Sequence, residues 1–394
     1  SDPESSEDEF FTPGSDELFA ARKKILAYSV PRAAERIERQ IKATNAANAA
    51  QTLRHRHNIA EYVVRLELEA SYTMRGNTRA LGQALFNNDS SRVACASWDG
   101  SVHVWGVQDG FLSPGPVVSP GFHSEKTVVG WSPADSSVLV SGGSEGSVHV
   151  WRVGDGASLT PVESVKDAHV ARITHVAVHP SGDYFATASF DRTWKLWDMQ
   201  RPDTELMEQE GHNKEVFSAS FHSDGSLLAT GGLDTHGRIW DLRSGRSIAV
   251  LRKHARGIYS LGWAPNGHHL ASASGDNSVQ IWDLRQTQRT ALFSIPAHTK
   301  LVSGVKFLQN TASRALTRPV LDENDENERL LDVSGTLVVT SSFDGTVKVW
   351  SADNWVCLKT LRGHGDKVMS CDISADGTTV ISTGWDRSLK TWRA

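Results

Sequence analysis

Short runs in which small apolar and polar residues alternate recur along the chain, each followed by a polar turn and a second run that ends on tryptophan. The stretch FATASFDRTWKLWD, residues 185–198, shows the unit, with its turn at Asp191 and its last tryptophan at Trp197. Side chains that alternate with a period of two lie on opposite faces of a strand. Each unit therefore predicts two β-strands joined by a tight turn.

The spacing inside the unit is nearly constant along the chain. An acid precedes tryptophan by six positions at Asp99/Trp105, Glu145/Trp151, Asp191/Trp197, Asp234/Trp240, Asp276/Trp282, Asp344/Trp350 and Asp386/Trp392. These tryptophans are 46, 46, 43, 42, 68 and 42 residues apart, so the sixth copy contains an insert. A period of about 40–45 residues is typical of WD40 β-propellers. We therefore predict an all-β fold, a seven-bladed WD40 propeller preceded by a short helical N-terminal extension.

A histidine, a hydroxyl and an acid also recur in fixed positions. The histidine stands 22 residues before the acid in most copies and Ser or Thr stands four before it. A catalytic triad has no reason to appear in every repeat, whereas a buried hydrogen-bond network does. We expect the acid to orient the histidine, the histidine to reach the hydroxyl, and the hydroxyl to accept the indole N–H. The predicted structural network comprises His169, Thr187, Asp191, Trp197, His212, Thr230, Asp234, Trp240, His254, Ser272, Asp276, Trp282, His298, Thr340, Asp344, Trp350, His364, Ser382, Asp386 and Trp392.

Composition divides the chain into three parts. Residues 1–16 are predicted to form an acidic disordered tail, residues 17–65 a helical extension, and residues 66–394 the propeller, with an insert at 310–335 in the sixth repeat. We expect this insert to be either a neutral surface loop or a binding loop. The first repeat is degenerate, with Asn77 and Cys95 in place of the histidine and hydroxyl, and Glu145 also departs from the pattern. A strand near Leu66–Met74 should close the ring, so the propeller should fold without residues 1–57.

Three helices are predicted in the extension. The first covers ELFAARKKILAYS, the second begins at Pro31 in SVPRAAERIERQIKA, and the third runs through LRHRHNIAEYVVRLELE. Residues 18–57 hold nine Lys/Arg against two Glu, although the whole chain has a net charge of −5. This basic segment predicts contacts with RNA phosphates or an acidic partner, or else a solvated helix face over the propeller. The candidate contact residues are Arg22, Lys23, Lys24, Arg32, Arg36, Arg39, Arg54 and Arg56.

Several functional classes find no support in the sequence. Only three cysteines occur, without a CxxC pair, which suits a reducing cytosol or nucleus. The absence of a run of 18 apolar residues predicts no membrane association. Glycine-rich stretches such as GGSEGS lie in hairpin turns rather than in a strand-to-helix phosphate loop. We therefore predict no enzyme activity, no cofactor, no metal and no small-molecule substrate.

One mouth of the propeller is predicted to bind protein. The turn residue before each acid and the residues three and five after each histidine should surround this mouth. A tight turn does not require an aromatic residue, so large rings there suggest contact with a partner. The alternative is that the rings pack against neighbouring blades. The candidate rim residues are Trp98, Arg172, Phe190, Phe217, Tyr259, Phe343, Lys367 and Trp385.

Several long stretches resemble one family of WD40 proteins. Residues 210–248, 265–286 and 295–307 are similar to the WD40-repeat proteins of the U4/U6 small nuclear ribonucleoprotein, and GGLDTHGRIWDLR is the most specific motif. The segment YSVPRA resembles the helical segment that precedes the propeller in that family. The similarity extends over about residues 18–394 apart from the insert.

The resemblance implies a scaffold in pre-mRNA splicing. Such a scaffold would lie in the nucleus, bind other U4/U6 particle proteins, and hold the paired U4/U6 RNAs in the tri-snRNP through the particle. Whether the chain also contacts RNA directly is left open. The alternative is a WD40 adaptor in signalling or in a ubiquitin ligase, which explains the repeats but not YSVPRA.

Overall fold

The computed structural model describes residues 14–46, 49–73, 79–108, 111–113, 117–118, 121–154, 159–286, 290–309 and 335–394. Two helices, α1 (Asp16–Ala46) and α2 (Ala49–Val64), precede strand β1 (Glu67–Thr73) and a ring of seven antiparallel sheets, confirming the predicted propeller with its N-terminal helical segment. Neither helix is long and apolar enough to span a membrane.

The blades follow one another in chain order. Blade one contains β2 (Leu81–Phe86), β3 (Arg92–Ser97), β4 (Val102–Gln108), β5 (Phe111–Leu112) and β6 (Val117–Val118); blade two β7 (Val128–Trp131), β8 (Val138–Gly142), β9 (Val148–Val153) and β10 (Leu159–Val165); blade three β11 (Ile173–Val178), β12 (Tyr184–Ser189), β13 (Trp194–Asp198) and β14 (Glu205–Gln209); blade four β15 (Val216–Phe221), β16 (Leu227–Gly232), β17 (His236–Asp241) and β18 (Arg246–Arg252). Blade five contains β19 (Ile258–Trp263), β20 (His269–Ser274), β21 (Val279–Asp283) and β22 (Ala291–Ile295); blade six β23 (Val302–Phe307), β24 (Leu337–Ser342), β25 (Thr346–Ser351) and β26 (Cys357–Arg362); blade seven β27 (Val368–Ile373), β28 (Thr379–Gly384) and β29 (Ser388–Arg393).

The ring closes through the strand that precedes blade one. Strand β1 pairs antiparallel with β29, from Glu67 opposite Arg393 to Thr73 opposite Ser388. It therefore supplies the outer strand of blade seven, as the sequence predicts. This strand covers the outer edge of β29, which would otherwise be unpaired where the ring closes.

The tight turn that follows the acid has the same backbone in every blade. The residue directly after the acid has a positive φ of 61–95° at Gly100, Gly146, Arg192, Thr235, Asn277, Gly345 and Arg387. This left-handed conformation suits glycine and asparagine and is costly for β-branched residues. Gly100 has a second constraint, because a Cβ there would lie 2.1 Å from the carbonyl oxygen of His123.

The extension differs from the three predicted helices. A single helix α1 runs through Pro31, which was predicted to lie in a first turn. Proline lacks the N–H that would bond the carbonyl of Ala27, but this carbonyl belongs to an exposed residue and both halves of α1 pack on the propeller. The segment LELE, predicted to end the third helix, instead forms the start of β1, because it pairs with β29.

Helix α1 contributes to the core of the propeller. Ser15 caps it by accepting the N–H of Leu18 at 3.1 Å. Leu18 and Ile25 are each 1% exposed and pack in one cluster with Tyr184 and Met207 of blade three. Burying side chains of this size contributes about 1.5–3 kcal/mol each. This packing argues against the prediction that the propeller folds without residues 1–57, because removing α1 would expose that cluster.

Three features predicted from the sequence lie outside the described residues. Residues 1–13 of the acidic tail are among them, whereas Asp16 already belongs to α1. Asn77, the predicted replacement for a histidine, and residues 310–334 of the insert also lie outside. The insert falls between β23 and β24, the first two strands of blade six.

Candidate interaction surfaces

The recurring polar residues meet inside each blade. In blade three, Nδ1 of His169 lies 2.7 Å from Asp191 and Nε2 lies 2.7 Å from Oγ1 of Thr187, which also accepts the Trp197 indole N–H at 2.9 Å. A carboxylate can only accept, whereas the hydroxyl that accepts the indole N–H can still donate its own proton to Nε2. The histidine therefore carries its proton on Nδ1, where it donates to the carboxylate.

Five further blades contain the same chain of hydrogen bonds. Its members are His123–Ser141–Glu145–Trp151, His212–Thr230–Asp234–Trp240, His254–Ser272–Asp276–Trp282, His298–Thr340–Asp344–Trp350 and His364–Ser382–Asp386–Trp392. The histidine side chains are at most 1% exposed, and so no dissolved substrate reaches them. This burial supports a structural role for the network.

The first and second repeats depart from the common residue pattern in different ways. Glu145 replaces the aspartate of the other repeats, but its longer side chain still reaches Nδ1 of His123 at 2.5 Å. In blade one Cys95 replaces the hydroxyl, and its thiol lies 4.0 Å from the Ala96 carbonyl oxygen. Blade one is therefore the blade in which the described residues depart from the common network.

The network lowers the pKa values of its carboxyl groups. Burial alone would raise the pKa of Asp191, but hydrogen bonds from His169 and Thr193 lower the pKa to about 2. The same balance lowers the pKa values of Glu145, Asp234, Asp276, Asp344 and Asp386. These carboxylates stay charged at neutral pH and favour the folded state.

One group of possible metal ligands occurs in the described part of the chain. Ligand atoms of His123, Glu145 and His149 lie within 4.8 Å of one another. The contact between His123 and Glu145 is the histidine–carboxylate hydrogen bond that the other blades also make. Those blades have no equivalent of His149, so the blade network accounts for the contact without a metal. We assign no metal to this group.

The candidate rim residues surround one mouth of the central channel. Backbone hydrogen bonds place them there, because the N–H of the turn residue bonds the loop that follows the histidine. Phe190 donates to the carbonyl of Arg172 at 3.0 Å, and Trp385 donates to that of Lys367 at 2.9 Å. Below the rim lies a cavity of about 130 Å³ that Trp98, among others, lines.

The rim rings contact neighbouring blades and also remain accessible. Trp98 and Trp385 meet edge to face with centroids 5.5 Å apart, and Phe217 meets Tyr259 at 4.8 Å. Trp385 is 38% exposed, whereas the other rim aromatics are half-buried. The rings therefore pack against neighbouring blades, as the alternative predicts, and keep part of their surface accessible. Their contact with a partner stays a prediction.

Cations cover several of these rings. The Lys367 ammonium lies 4.4 Å from the Trp385 centroid and 5.4 Å from that of Phe343. The Arg172 guanidinium lies 5.5 Å from the Phe190 centroid. A cation over an aromatic face is attracted by the ring quadrupole, more strongly where water is excluded.

The basic helical segment is divided between the propeller and solvent. Arg36 pairs with Asp224 at 2.8 Å, Arg56 pairs with Asp353 at 2.8 Å, and Arg22 lies against the sulfur of Met207. Arg22 and Arg36 are half-buried against the propeller and are poor candidates for RNA contact, whereas the side chain of Arg56 is 47% exposed despite its ion pair. The remaining five candidates are exposed: Lys23, Lys24, Arg32, Arg39 and Arg54.

Sequence reasoning missed a second exposed surface on α1. Phe19, Leu26, Val30, Ile37 and Ile41 are 45–59% exposed, and their spacing of seven, four, seven and four residues places them on one face of the helix. Leu18 and Ile25 occupy the other face, which packs on the propeller. The sequence does contain a signal for this surface, because apolar residues occupy two faces of the same helix.

Comparison with known proteins agrees with the observed repeats. The family description "WD domain, G-beta repeat" matches residues 69–106, 160–198, 203–241, 245–283, 329–351 and 355–393. Most of blade two lies outside these matches, although it has four strands and a complete hydrogen-bond network.

Several known proteins are similar to this chain. The protein named "U4/U6 small nuclear ribonucleoprotein PRP4" of Saccharomyces cerevisiae is 35% identical over 389 residues, which cover 99% of this chain and 78% of that protein. An uncharacterized WD repeat-containing protein of Schizosaccharomyces pombe is 36% identical over 48% of this chain and 40% of its own length. A "U4/U6 small nuclear ribonucleoprotein PRP4-like protein" of Arabidopsis thaliana is 38% identical over 58 residues, 15% of this chain and 10% of that protein. Because the first similarity extends over nearly the whole chain, including the helices, the chain belongs to the PRP4 family of WD40-repeat proteins.

Proposed function

We propose that the chain is a non-catalytic scaffold subunit of the U4/U6 small nuclear ribonucleoprotein and of the U4/U6.U5 tri-snRNP in pre-mRNA splicing. The observation that carries this proposal is the 35% identity to yeast PRP4 over 99% of the chain. The proposal places the chain in the nucleus with other proteins of the particle as its partners. Its activity consists of holding partners on rigid surfaces.

Rigidity is the property that a scaffold requires, and several observations support it. The hydrogen-bond network fixes each turn next to its loop, and the ring is closed by β1 against β29. A fully satisfied buried polar network favours one arrangement of its neighbours. The rim above the cavity is thereby held in place, and we propose it as the main protein-binding surface.

Association with snRNA is proposed to occur mainly through the particle. The whole chain is acidic, and three of the eight candidate basic residues contact the propeller. The other five, all exposed, could add a weak direct contact, which salt would reduce steeply because it depends on phosphate neutralisation. Retention of the RNA through apolar contacts between the chain and other particle proteins should be less sensitive to moderate salt.

The test is recovery of RNA from nuclear extract on the tagged full chain, followed by sequencing of the bound RNA. The proposal predicts that U4 and U6 RNA are recovered together and are retained at moderate salt. Recovery of ubiquitin-ligase subunits or G-protein partners without small nuclear RNA would instead support the adaptor alternative.

A charge-reversal variant tests the direct RNA contact separately. Lys24→Glu, Arg39→Glu and Arg54→Glu are combined, because these three side chains are exposed and leave the docking of the helices intact. If the particle retains the chain, the triple variant still recovers both RNAs from extract while losing affinity for purified U4/U6 duplex. Equal loss in both assays would show that RNA contact is the main attachment. Deletion of residues 1–57 is a poor substitute, because it removes buried residues of α1.

A further inference from the structure

The cavity below the rim has an uneven charge. Arg172, His175 and Lys306 line it, and of the described residues around it none is an aspartate or glutamate. Lys306 also lines a second cavity of about 230 Å³ at the opposite mouth, where Asp372 lies. The acid nearest to this lysine thus belongs to the far end of the channel. Glu125 and Glu215 belong to rim loops around this mouth, but the described residues that line the cavity itself include cationic groups and no carboxylate.

Arg172 has a buried donor that is not satisfied. Its Nε is buried and has no hydrogen-bond partner, and within the described ranges no acid forms an ion pair with it. Burial lowers the pKa of this guanidinium, and no nearby carboxylate opposes that effect. Arg36 provides a contrast, because its guanidinium is held by both oxygens of Asp224. Arg172 is half-buried and its guanidinium lies over the Phe190 ring, but its buried Nε–H lacks a hydrogen-bond acceptor, which a bound anion could supply.

Two more polar groups near Arg172 lack strong partners. Nδ1 of His175 is buried without a hydrogen bond, and burial together with Lys306 lowers its pKa to about 3, so the imidazole is neutral at neutral pH. The Trp385 indole N–H points at the sulfur of Met369, 3.0 Å away. A thioether is a weak acceptor, and so this N–H can donate its hydrogen bond to a stronger acceptor when one is bound.

We propose that this mouth binds the carboxylate of an aspartate or glutamate on a partner protein segment, paired with Arg172. The proposal rests on the proposed function in that the rim is the partner-binding surface. A planar guanidinium matches a carboxylate in two parallel hydrogen bonds, which gives direction as well as affinity. Apolar residues beside the acid would lie against the rings of Trp98, Phe343 and Trp385. A cavity of about 130 Å³ has room for one side chain rather than for a chain of nucleotides.

The experiment uses the full chain and a phage library of short random peptides. We expect the selected peptides to share an aspartate or glutamate beside an apolar residue. One selected peptide is then synthesised with its acid and with the corresponding amide, and its affinity is measured by fluorescence anisotropy. We expect the amide to bind about tenfold or more weakly, the loss typical of an unpaired charged hydrogen bond.

Variants of the chain locate the contact. Arg172→Met should lose about tenfold or more in affinity for the acidic peptide and Arg172→Lys should lose less. Thermal unfolding of Arg172→Met shows whether the variant stays folded, and Arg172→Lys, which keeps the charge, separates the guanidinium contact from packing on the rings. Arg256→Met is the matched control, since Arg256 is exposed in the corresponding loop of blade five, and it should leave affinity unchanged.

Several outcomes would overturn the proposal. These are selected peptides without acids, or equal affinity of the acidic peptide for the wild type and Arg172→Met. A third is binding only when the acid is replaced by phosphoserine, which would assign the mouth to a phosphorylated partner. A fourth is Arg172-dependent binding of oligouridine without peptide binding, which would assign the mouth to RNA. Recovery of U4 and U6 RNA on the wild-type chain is an independent measurement. A negative result for peptide binding at Arg172 therefore does not contradict the proposed function.

Discussion

Arg36 in helix α1 forms an ion pair with Asp224, which lies 188 residues later in the turn between β15 and β16. The guanidinium is held by both carboxylate oxygens at 2.8–3.2 Å and also donates to the carbonyl oxygen of Asn266 in blade five at 2.9 Å. One side chain therefore ties the extension to two adjacent blades. The helices and the propeller form one packed unit at this point.

Removing this arginine should destabilise the protein strongly. Arg36→Met leaves Asp224, which is 5% exposed, without its ion-pair partner, and breaking a buried pair costs about 3 kcal/mol. The measurement is urea unfolding followed by tryptophan fluorescence. Arg39→Met is the control, because Arg39 is exposed on the same helix, and it should change stability little. Equal effects of the two substitutions would contradict the role given to the pair.

Breaking one network should destabilise a blade without acting on a partner directly. Asp276→Ala removes the acceptor of the His254 Nδ1–H and should cost about 1–3 kcal/mol. Thermal unfolding measures the loss, and binding should weaken only where the protein unfolds. Unchanged stability together with abolished binding would show that the network is functional rather than structural.

The network also predicts a loss of stability in acid. The pKa of Asp191 is lowered to about 2, from an ordinary value of about 3.9 in the unfolded chain. A carboxyl group with a lowered folded-state pKa stabilises the fold above the unfolded pKa, and this contribution disappears as pH falls through the folded value. We therefore expect stability to fall between about pH 4 and about pH 2.

Urea midpoints over this range test the acid effect. Asp191→Asn should flatten the dependence of stability on pH, because the titrating group is gone. Asp203→Asn, in the exposed loop before β14, is the matched control and should keep the wild-type slope. An unchanged slope in Asp191→Asn would assign the acid sensitivity to other groups.

One tight turn carries a residue that its backbone disfavours. Thr235 has a φ of 72°, a left-handed conformation that β-branched residues rarely adopt, whereas Asn277 has the equivalent position in blade five. Thr235→Asn should stabilise the protein by about 0.5–1 kcal/mol. Thermal unfolding is the measurement. Thr235→Ala is the control, because alanine also disfavours this conformation, and a gain as large as that from asparagine would refute the backbone explanation.

The rim should contain binding hot spots. Trp385→Ala should weaken the affinity for a rim-binding peptide or partner by roughly 2 kcal/mol while the circular dichroism spectrum stays native. Titration calorimetry provides the affinity. Phe293→Ala is the matched control, since Phe293 is 45% exposed on an outer strand away from the rim. Full affinity in alanine variants of Trp98, Phe190, Phe343 and Trp385 would exclude the rim as the site.

Periodicity alone determined the propeller, because each blade is a local unit. His169, Thr187, Asp191 and Trp197 lie within 29 residues and meet through one sheet. Their spacing in the chain fixes their contacts once the strands pair, and the same holds for the turn residues that reach the rim. Ring closure by β1 was predictable for a related reason, since the last repeat lacks an outer strand.

Tertiary structure alone decided which side chains of the extension are exposed and available for contact with a partner. Arg36 and Arg39 look equivalent in the sequence, but Asp224 lies far along the chain and only the ring brings it to α1. The same packing buries Leu18 and leaves Phe19 exposed, and it maintains one helix through Pro31. The surroundings of Arg172 were equally hidden, because which described residues line the cavity beside it depends on how the blades converge. Local spacing determines contacts within a repeat, whereas contacts between distant segments depend on how the repeats assemble.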